Sequence, residues 1–244
     1  MASIQCIACP VEEIGHWREL YRQEMNCQIV HDSFCARPGW VRAWQFFVDG
    51  VAVGYGSLVV AGPWQNAPTV YEMFVLPHFR CHAFTLFETL LSASQPVGIE
   101  VQSNDSLITV MLHAYAREIK TQSILFHDCR TTSLAVSSAT IRRLENTEGF
   151  AEAGEWIAEV DGEIAAKGGV LFHYNRPYGD IYMEVAENFR RRGLGSYLVQ
   201  ELKRVAYQSG NVPAARCNPA NLASRRTLQK AGFAPYANLL AGDL

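Results

Sequence analysis

The run Arg190-Arg191-Arg192-Gly193-Leu194-Gly195-Ser196 is the segment whose residue types and spacing point most directly to chemistry. Its glycines let the backbone approach a ligand closely and turn its N–H groups inward. An apolar-periodic stretch follows, with Leu194, Leu198, Leu202 and Val205 on one face, so the run opens a helix. A helix N-terminus carries roughly half a positive charge, and neighbouring arginines make bidentate contacts to phosphate oxygens. The segment therefore reads as a phosphate loop. Its bland reading is a basic helix start on a solvated face. A Rossmann fingerprint would need a third Gly or Ala where Leu198 stands, and a P-loop would need Gly-Lys-Ser/Thr, which the chain lacks.

Local charge favours the phosphate reading. The window Val185–Lys230 holds nine basic residues against Glu187 and Glu201, a net +7. The window Val75–Ala114 holds Arg80 against Glu88, Glu100 and Asp105, a net −2. The two windows correspond because the chain repeats itself. Asp49-Gly50 and Asp161-Gly162, 112 residues apart, are both hairpin signals. Met73, Val75, Phe79 and Arg80 recur 110 residues on as Met183, Val185, Phe189 and Arg190. Short strands at Val97–Val101 and Pro213–Cys217 lead to helices opened by Asp105 and Asn221, now 116 apart. In the first copy Ala83 and Thr85 replace Gly193 and Gly195, so the scaffold persists without the anion loop.

These elements predict an α/β (α+β layered) chain of two modules, residues 1–130 and 131–244, with parallel pairing at each crossover and an extra helix near Val11–Cys27. The length of 244 residues, 49% hydrophobic and 18% charged, suits two small cores. The net charge of −3 argues against wholesale nucleic-acid binding. No apolar run suits a transmembrane helix and the N-terminus has no signal-like pattern, so a cytoplasmic, non-membrane protein is expected. Seven scattered cysteines read as reduced thiols. Cys6-x-x-Cys9 lacks the second ligand pair that a zinc site needs, so no metal is expected.

A second motif follows the loop: Asn221, Ser224, Leu228, Lys230, Gly232 and Phe233. With Arg190, Gly193 and Gly195 before it, the order and spacing resemble the GNAT superfamily of acetyl-CoA-dependent N-acetyltransferases. The resemblance covers most of Trp156–Leu244. Through the repeat it implies two GNAT-like modules, the first degenerate, each a mostly antiparallel sheet with flanking helices. It also implies a bulged central strand ending near Val185 and a neighbouring strand that splays from it, so that pantetheine pairs in the V. Pyrophosphate would sit on Arg191, Arg192, Gly193, Leu194, Gly195 and Ser196. Asn221 would contact pantetheine or order the splayed strand, with Ser224 in the same motif. Arg225, Arg226 or Lys230 would reach the 3′-phosphate.

The implied reaction is acetyl transfer from acetyl-CoA to a primary amine by direct attack in a ternary complex. The acceptor is a small molecule or peptide, and the chain is a monomer or homodimer. The amine must be neutral to attack, which calls for a base. Glu184 is the first candidate, directly or through water, and it also reads as a solvent-facing strand carboxylate. Asp180 lies on the same strand, and His173 is a further candidate. The Val185 N–H is the expected oxyanion donor. Many members carry a Tyr acid where this chain has Leu228. That departure keeps a second reading open, a non-catalytic acyl-CoA sensor or interaction protein. Cys217 reads as structural rather than as a nucleophile.

Overall fold

Both Asp-Gly pairs adopt the left-handed φ pair that a type I′ turn requires: 50° and 78° at Asp49-Gly50, 50° and 81° at Asp161-Gly162. Each closes a hairpin in a separate compact unit of the computed structural model, which describes residues 2–144 and 156–244. The first unit comprises Met1–Gln122 and Asn238–Leu244, the second Ser123–Ala237. The first unit thus runs to Gln122 and takes in the last seven residues as well.

The first unit contains β1 (Ile4–Cys9), α1 (Gly15–Met25), β2 (Val41–Val48), β3 (Val51–Val59), β4 (Thr69–Val75), α2 (Ala83–Ser94), β5 (Gly98–Gln102) and α3 (Ser106–Tyr115). Strand β6 (Arg117–Asp128) crosses into the second unit. There follow β7 (Ala139–Arg143), β8 (Trp156–Val160), β9 (Glu163–Leu171), β10 (Tyr178–Val185), α4 (Leu194–Gln208), β11 (Val212–Cys217) and α5 (Leu222–Lys230). Strand β12 (Phe233–Asp243) starts in the second unit and ends in the first.

In the first unit the order is β1-β2-β3-β4-β5-β12, and in the second β7-β8-β9-β10-β11-β6. The parallel pairs are β4–β5 and β10–β11, each joined through a crossover helix. Both parallel pairs are short. β4 meets β5 only at Thr69↔Gly98 and Val70↔Ile99, and β10 meets β11 only from Tyr178↔Val212 to Asp180↔Ala214. Beyond those points the strands part, which gives each unit the expected V.

Helix α4 follows the apolar period: Leu194, Leu198, Val199, Leu202 and Ala206 are buried. They pack with Ala166, Val170, Ile181 and Ala215 of the sheet. At about 1.5–3 kcal/mol per buried leucine, this face dominates the helix's stability. In the first unit α2 and α3 cover Phe46, Val70 and Met73 of their sheet, with Leu86, Phe87 and Met111 as the helical side of the core.

The bulge is not where it was expected. β10 pairs with β9 without a break from Asp180↔Leu171 to Val185↔Ala166. The irregularity lies one strand over, where Ala158↔Ala166 is followed by Glu159↔Ile164 and Ala165 is the extra residue. The first copy repeats this at Val53, and it alone adds a bulge on its central strand, at Tyr71.

Candidate active site

The loop after β10 has the backbone that the glycines predict. Arg191 has φ 65° and Gly193 φ 85°, the second as the N-cap of α4. Two left-handed residues at a helix start gather amides into a concavity suited to an anion. Gly193 is needed for its φ, since the nearest atoms to an added Cβ would be Val136 Cγ2 at 3.7 Å and Lys230 Nζ at 3.8 Å. Gly195 is needed for space. A Cβ there would meet Val185 Cγ2 at 3.2 Å, Thr227 Cγ2 at 3.3 Å and Met183 Sδ at 3.4 Å. Leu194, Gly195 and Ser196 are buried in the first turn, and Ser196 Oγ donates to the Thr227 carbonyl at 3.2 Å.

The first copy shows what is lost without the glycines. There a 3-10 turn over Pro77–His82 runs straight into α2, and Ala83 has φ −57°. Its N–H is spent on the Arg80 carbonyl. One anion loop therefore forms among the described residues of the two copies.

Charge around the loop is narrower than the +7 window. Lys203 is buried, 2.5 Å from Asp128 Oδ1, and it donates to the carbonyls of Arg130 and Ala231. Arg204 pairs with Glu201. What remains at the loop is exposed Arg190, Arg191, Arg192, Arg226 and Lys230 with half-buried Arg225. Arg192 lies 5.1 Å from the Phe189 ring, and Arg225 Nη1 donates to the Pro219 carbonyl at 3.4 Å. Arg190 Nε faces the Val185 carbonyl at 3.4 Å, and Arg80 does the same to Val75 at 2.9 Å. A contact shared by both copies marks this arginine as part of the strand-end scaffold.

The V itself offers backbone groups. Ala186 donates to the Ala165 carbonyl. With no bulge in β10, alternation then turns the N–H and C=O of Ile181, Met183 and Val185 towards β11; the Ile181 N–H still belongs to the last ladder pair and the Val185 carbonyl faces Arg190, which leaves the Met183 groups and the Val185 N–H without a ladder partner. On the far side of the V, Asn221 caps α5 by accepting from the Ser224 N–H at 3.0 Å, so its side chain orders the helix. Cys217 is buried and its thiol is pushed up, mainly by burial, with Ser224 and Arg225 acting the other way. That suits a structural thiol. Leu228 is buried in the core, so α5 presents no acid there.

The three proposed acid–base residues do not converge. Glu184 is 71% exposed, with Lys167 Nζ at 3.9 Å. Asp180 sits four residues away, at the closed end of the V. Its Oδ2 has His173 Nε2 at 3.2 Å and Arg216 Nε at 3.7 Å. Burial, with the Asp180 charge second, raises the Tyr174 phenol well above its usual range. Arg216 and Tyr174 were not singled out from sequence. The register of β11 is the signal for the first: Ala215 and Cys217 face the core, so Arg216 faces away.

Residues 123–233 match the family model of the acetyltransferase (GNAT) family. Residues 123–233 are a GNAT-family domain. The whole chain also has the fold of solved GNAT proteins. An acetyltransferase from the GNAT family of Colwellia psychrerythraea superposes with TM-score 0.71 at 16% identity, over 99% of both chains. A tandem GNAT protein from the clavulanic acid biosynthesis pathway gives 0.64 at 13%, covering 99% of this chain and 98% of that one. A GCN5-related N-acetyltransferase from Sphaerobacter thermophilus gives 0.63 at 14%, over 98% and 95%. At these identities the likeness is one of fold. No curated protein matched. No helix among the described residues is long and apolar enough to cross a membrane. The GNAT match implies acyl transfer from an acyl-CoA.

Proposed function

We propose that the second unit transfers an acetyl group from acetyl-CoA to a primary amine by direct attack in a ternary complex. The observation that carries this reading is the Arg191/Gly193 loop at the mouth of the β10–β11 V, inside the GNAT-family domain and missing from the first copy. The donor set fits the cofactor: inward amides and cationic side chains for the phosphates, and unpaired strand groups for an amide-bearing arm. When bound, acetyl-CoA supplies the activated acyl group.

The chain's own residues do the rest. The amides of Arg191–Ser196, with Arg192, Arg225, Arg226 and Lys230, hold the phosphate end. The peptide groups of Met183 and Val185 hold the arm, and the Met183 N–H, the first past the apex without a ladder partner and so the nearest of the row to His173, donates to the oxygen that gains negative charge in place of the expected Val185 N–H. His173 takes the amine proton. Asp180, with its Oδ2 3.2 Å from Nε2, offsets the positive charge the ring then carries. Glu184, on a solvated surface beside Lys167, is the weaker base.

Calorimetry tests the binding step, with one acetyl-CoA site per chain expected and Gly193→Asp weakening it at least tenfold. No binding, or two equal sites, overturns the reading. Thiol release with an amine panel tests the chemistry. His173→Gln is expected to lower kcat about 100-fold, with Glu184→Gln the milder change. Tight acetyl-CoA binding without turnover of any amine would favour the sensor reading, which Leu228 motivates.

A further inference from the structure

Arg216 stands in the V with little to do for the fold. Ala215 and Cys217 of β11, like Ile181, Met183 and Val185 of β10, pack on the α4 side. Strand alternation therefore puts Asp180, Tyr182 and Arg216 together on the opposite face. Pairing ends at Asp180↔Ala214, so Arg216 is the first charged side chain on β11 past the apex. Its one described polar contact is Asp180 at 3.7 Å, longer than a hydrogen bond. Its side chain is 36% exposed against 9% for Asp180. The terminal nitrogens of the guanidinium have no hydrogen bond among the described residues.

The first copy shows what this position does when it is satisfied. The parallel ladder aligns Asp180↔Ala214 with Thr69↔Gly98, which makes Glu100 the counterpart of Arg216. Glu100 is buried and paired with His31 from the segment between α1 and β2. The same segment is bonded to Gln102 on the same face, through the Val30 N–H and the Gln28 carbonyl. Nearby, Arg18 of α1 makes two bonds of 2.9 Å to Glu72 on β4. In that copy an anionic V face receives basic groups from its own chain. In the second copy the β11 position is reversed in charge, and no described side chain supplies an anion to it beyond buried Asp180.

We propose that Arg216 is a specificity determinant that binds a carboxylate on the acceptor, so that the substrate class is amino-acid-like: a primary amine with a carboxylate close by. Asp180 and His173 receive the amine end, and the planar guanidinium fork receives the carboxylate bidentately. The inference rests on the acetyl-transfer reading of the same site.

The test uses the full chain, acetyl-CoA and thiol detection, with matched acceptors: phenylalanine and phenethylamine, tyrosine and tyramine, lysine and cadaverine. Each amino acid is expected to exceed its decarboxylated partner at least tenfold in kcat/KM. Arg216→Gln is expected to collapse that ratio through KM, with Arg216→Lys recovering part of it. Acetyl-CoA affinity by calorimetry reports separately on the function reading, and thermal melting reports on folding. Equal or reversed preference, a ratio untouched by Arg216→Gln, or bound acetyl-CoA with no turnover of any amino acid would overturn the inference. Failure to bind acetyl-CoA would overturn the function reading beneath it.

Discussion

Asp105 and Asn221 hold the same place in the two copies, as caps of α3 and α5, but in different surroundings. Asp105 is buried, and burial pushes its carboxyl up to about 6 although the Ile108 N–H opposes the shift. The folded pKa exceeds the unfolded one, so the native state binds the extra proton. Stability contributed by this group is therefore full below about 4 and is lost as pH rises towards 6. Asp105→Asn keeps a capping side chain and removes the charge. Urea unfolding at pH 4.5 and 7 is expected to show the variant gaining on the wild type by about 2 kcal/mol across that interval. An unchanged difference would contradict it. Lys203 carries the opposite lesson. It is counted with the basic loop in sequence, yet it is buried against Asp128 and two carbonyls. Lys203→Ala leaves those groups without their cation and should cost about 3–5 kcal/mol in chemical denaturation. The loop glycines were legible because φ and space restrict residue type. The partner of a long cation was not, because Asp128 lies 75 positions away and no local pattern joins them.

At the scale of elements, the helices and strands of both copies were readable from apolar period and caps, and α4 lies where Leu194, Leu198, Leu202 and Val205 place it. Bulges were less legible. An extra residue such as Ala165 or Tyr71 changes register without changing composition, so only the cross-strand pairs reveal it. The link from α1 to β4 invites a direct comparison. Arg18 and Glu72 are buried with side chains 7% and 1% exposed, and Tyr55 also donates to Glu72 at 2.9 Å. Arg142 and Glu159 form a pair of similar length on the surface. Arg18→Ala should cost about 3–5 kcal/mol, because it strands a buried carboxylate. Arg142→Ala should cost no more than about 1 kcal/mol. Equal losses in guanidinium unfolding would show that the buried pair contributes nothing special.

For the whole molecule, two copies were legible from recurring motifs at nearly constant spacing, and the drift from 110 to 116 marked where the second copy is longer. The exchange of strand ends was not legible, because nothing in the composition of β12 assigns its halves to different units. Removal of Asn238–Leu244 is expected to strip protection from Gly98–Gln102, its ladder partner, while leaving the β10–β11 amides protected. Hydrogen exchange read peptide by peptide would show it, and uniform loss across both units would contradict it.

The order in which the chain is made gives that strand a further meaning. As the polypeptide leaves the ribosome, the first unit is synthesised first but lacks the second partner of β5 until Leu239–Asp243 emerges. All of Ser123–Ala237 precedes that point. The unit read as carrying the chemistry is thus complete in sequence before the older one can finish its sheet. An open β5 edge must wait through the whole translation of the second unit, and closure of the first sheet falls to Leu239–Asp243.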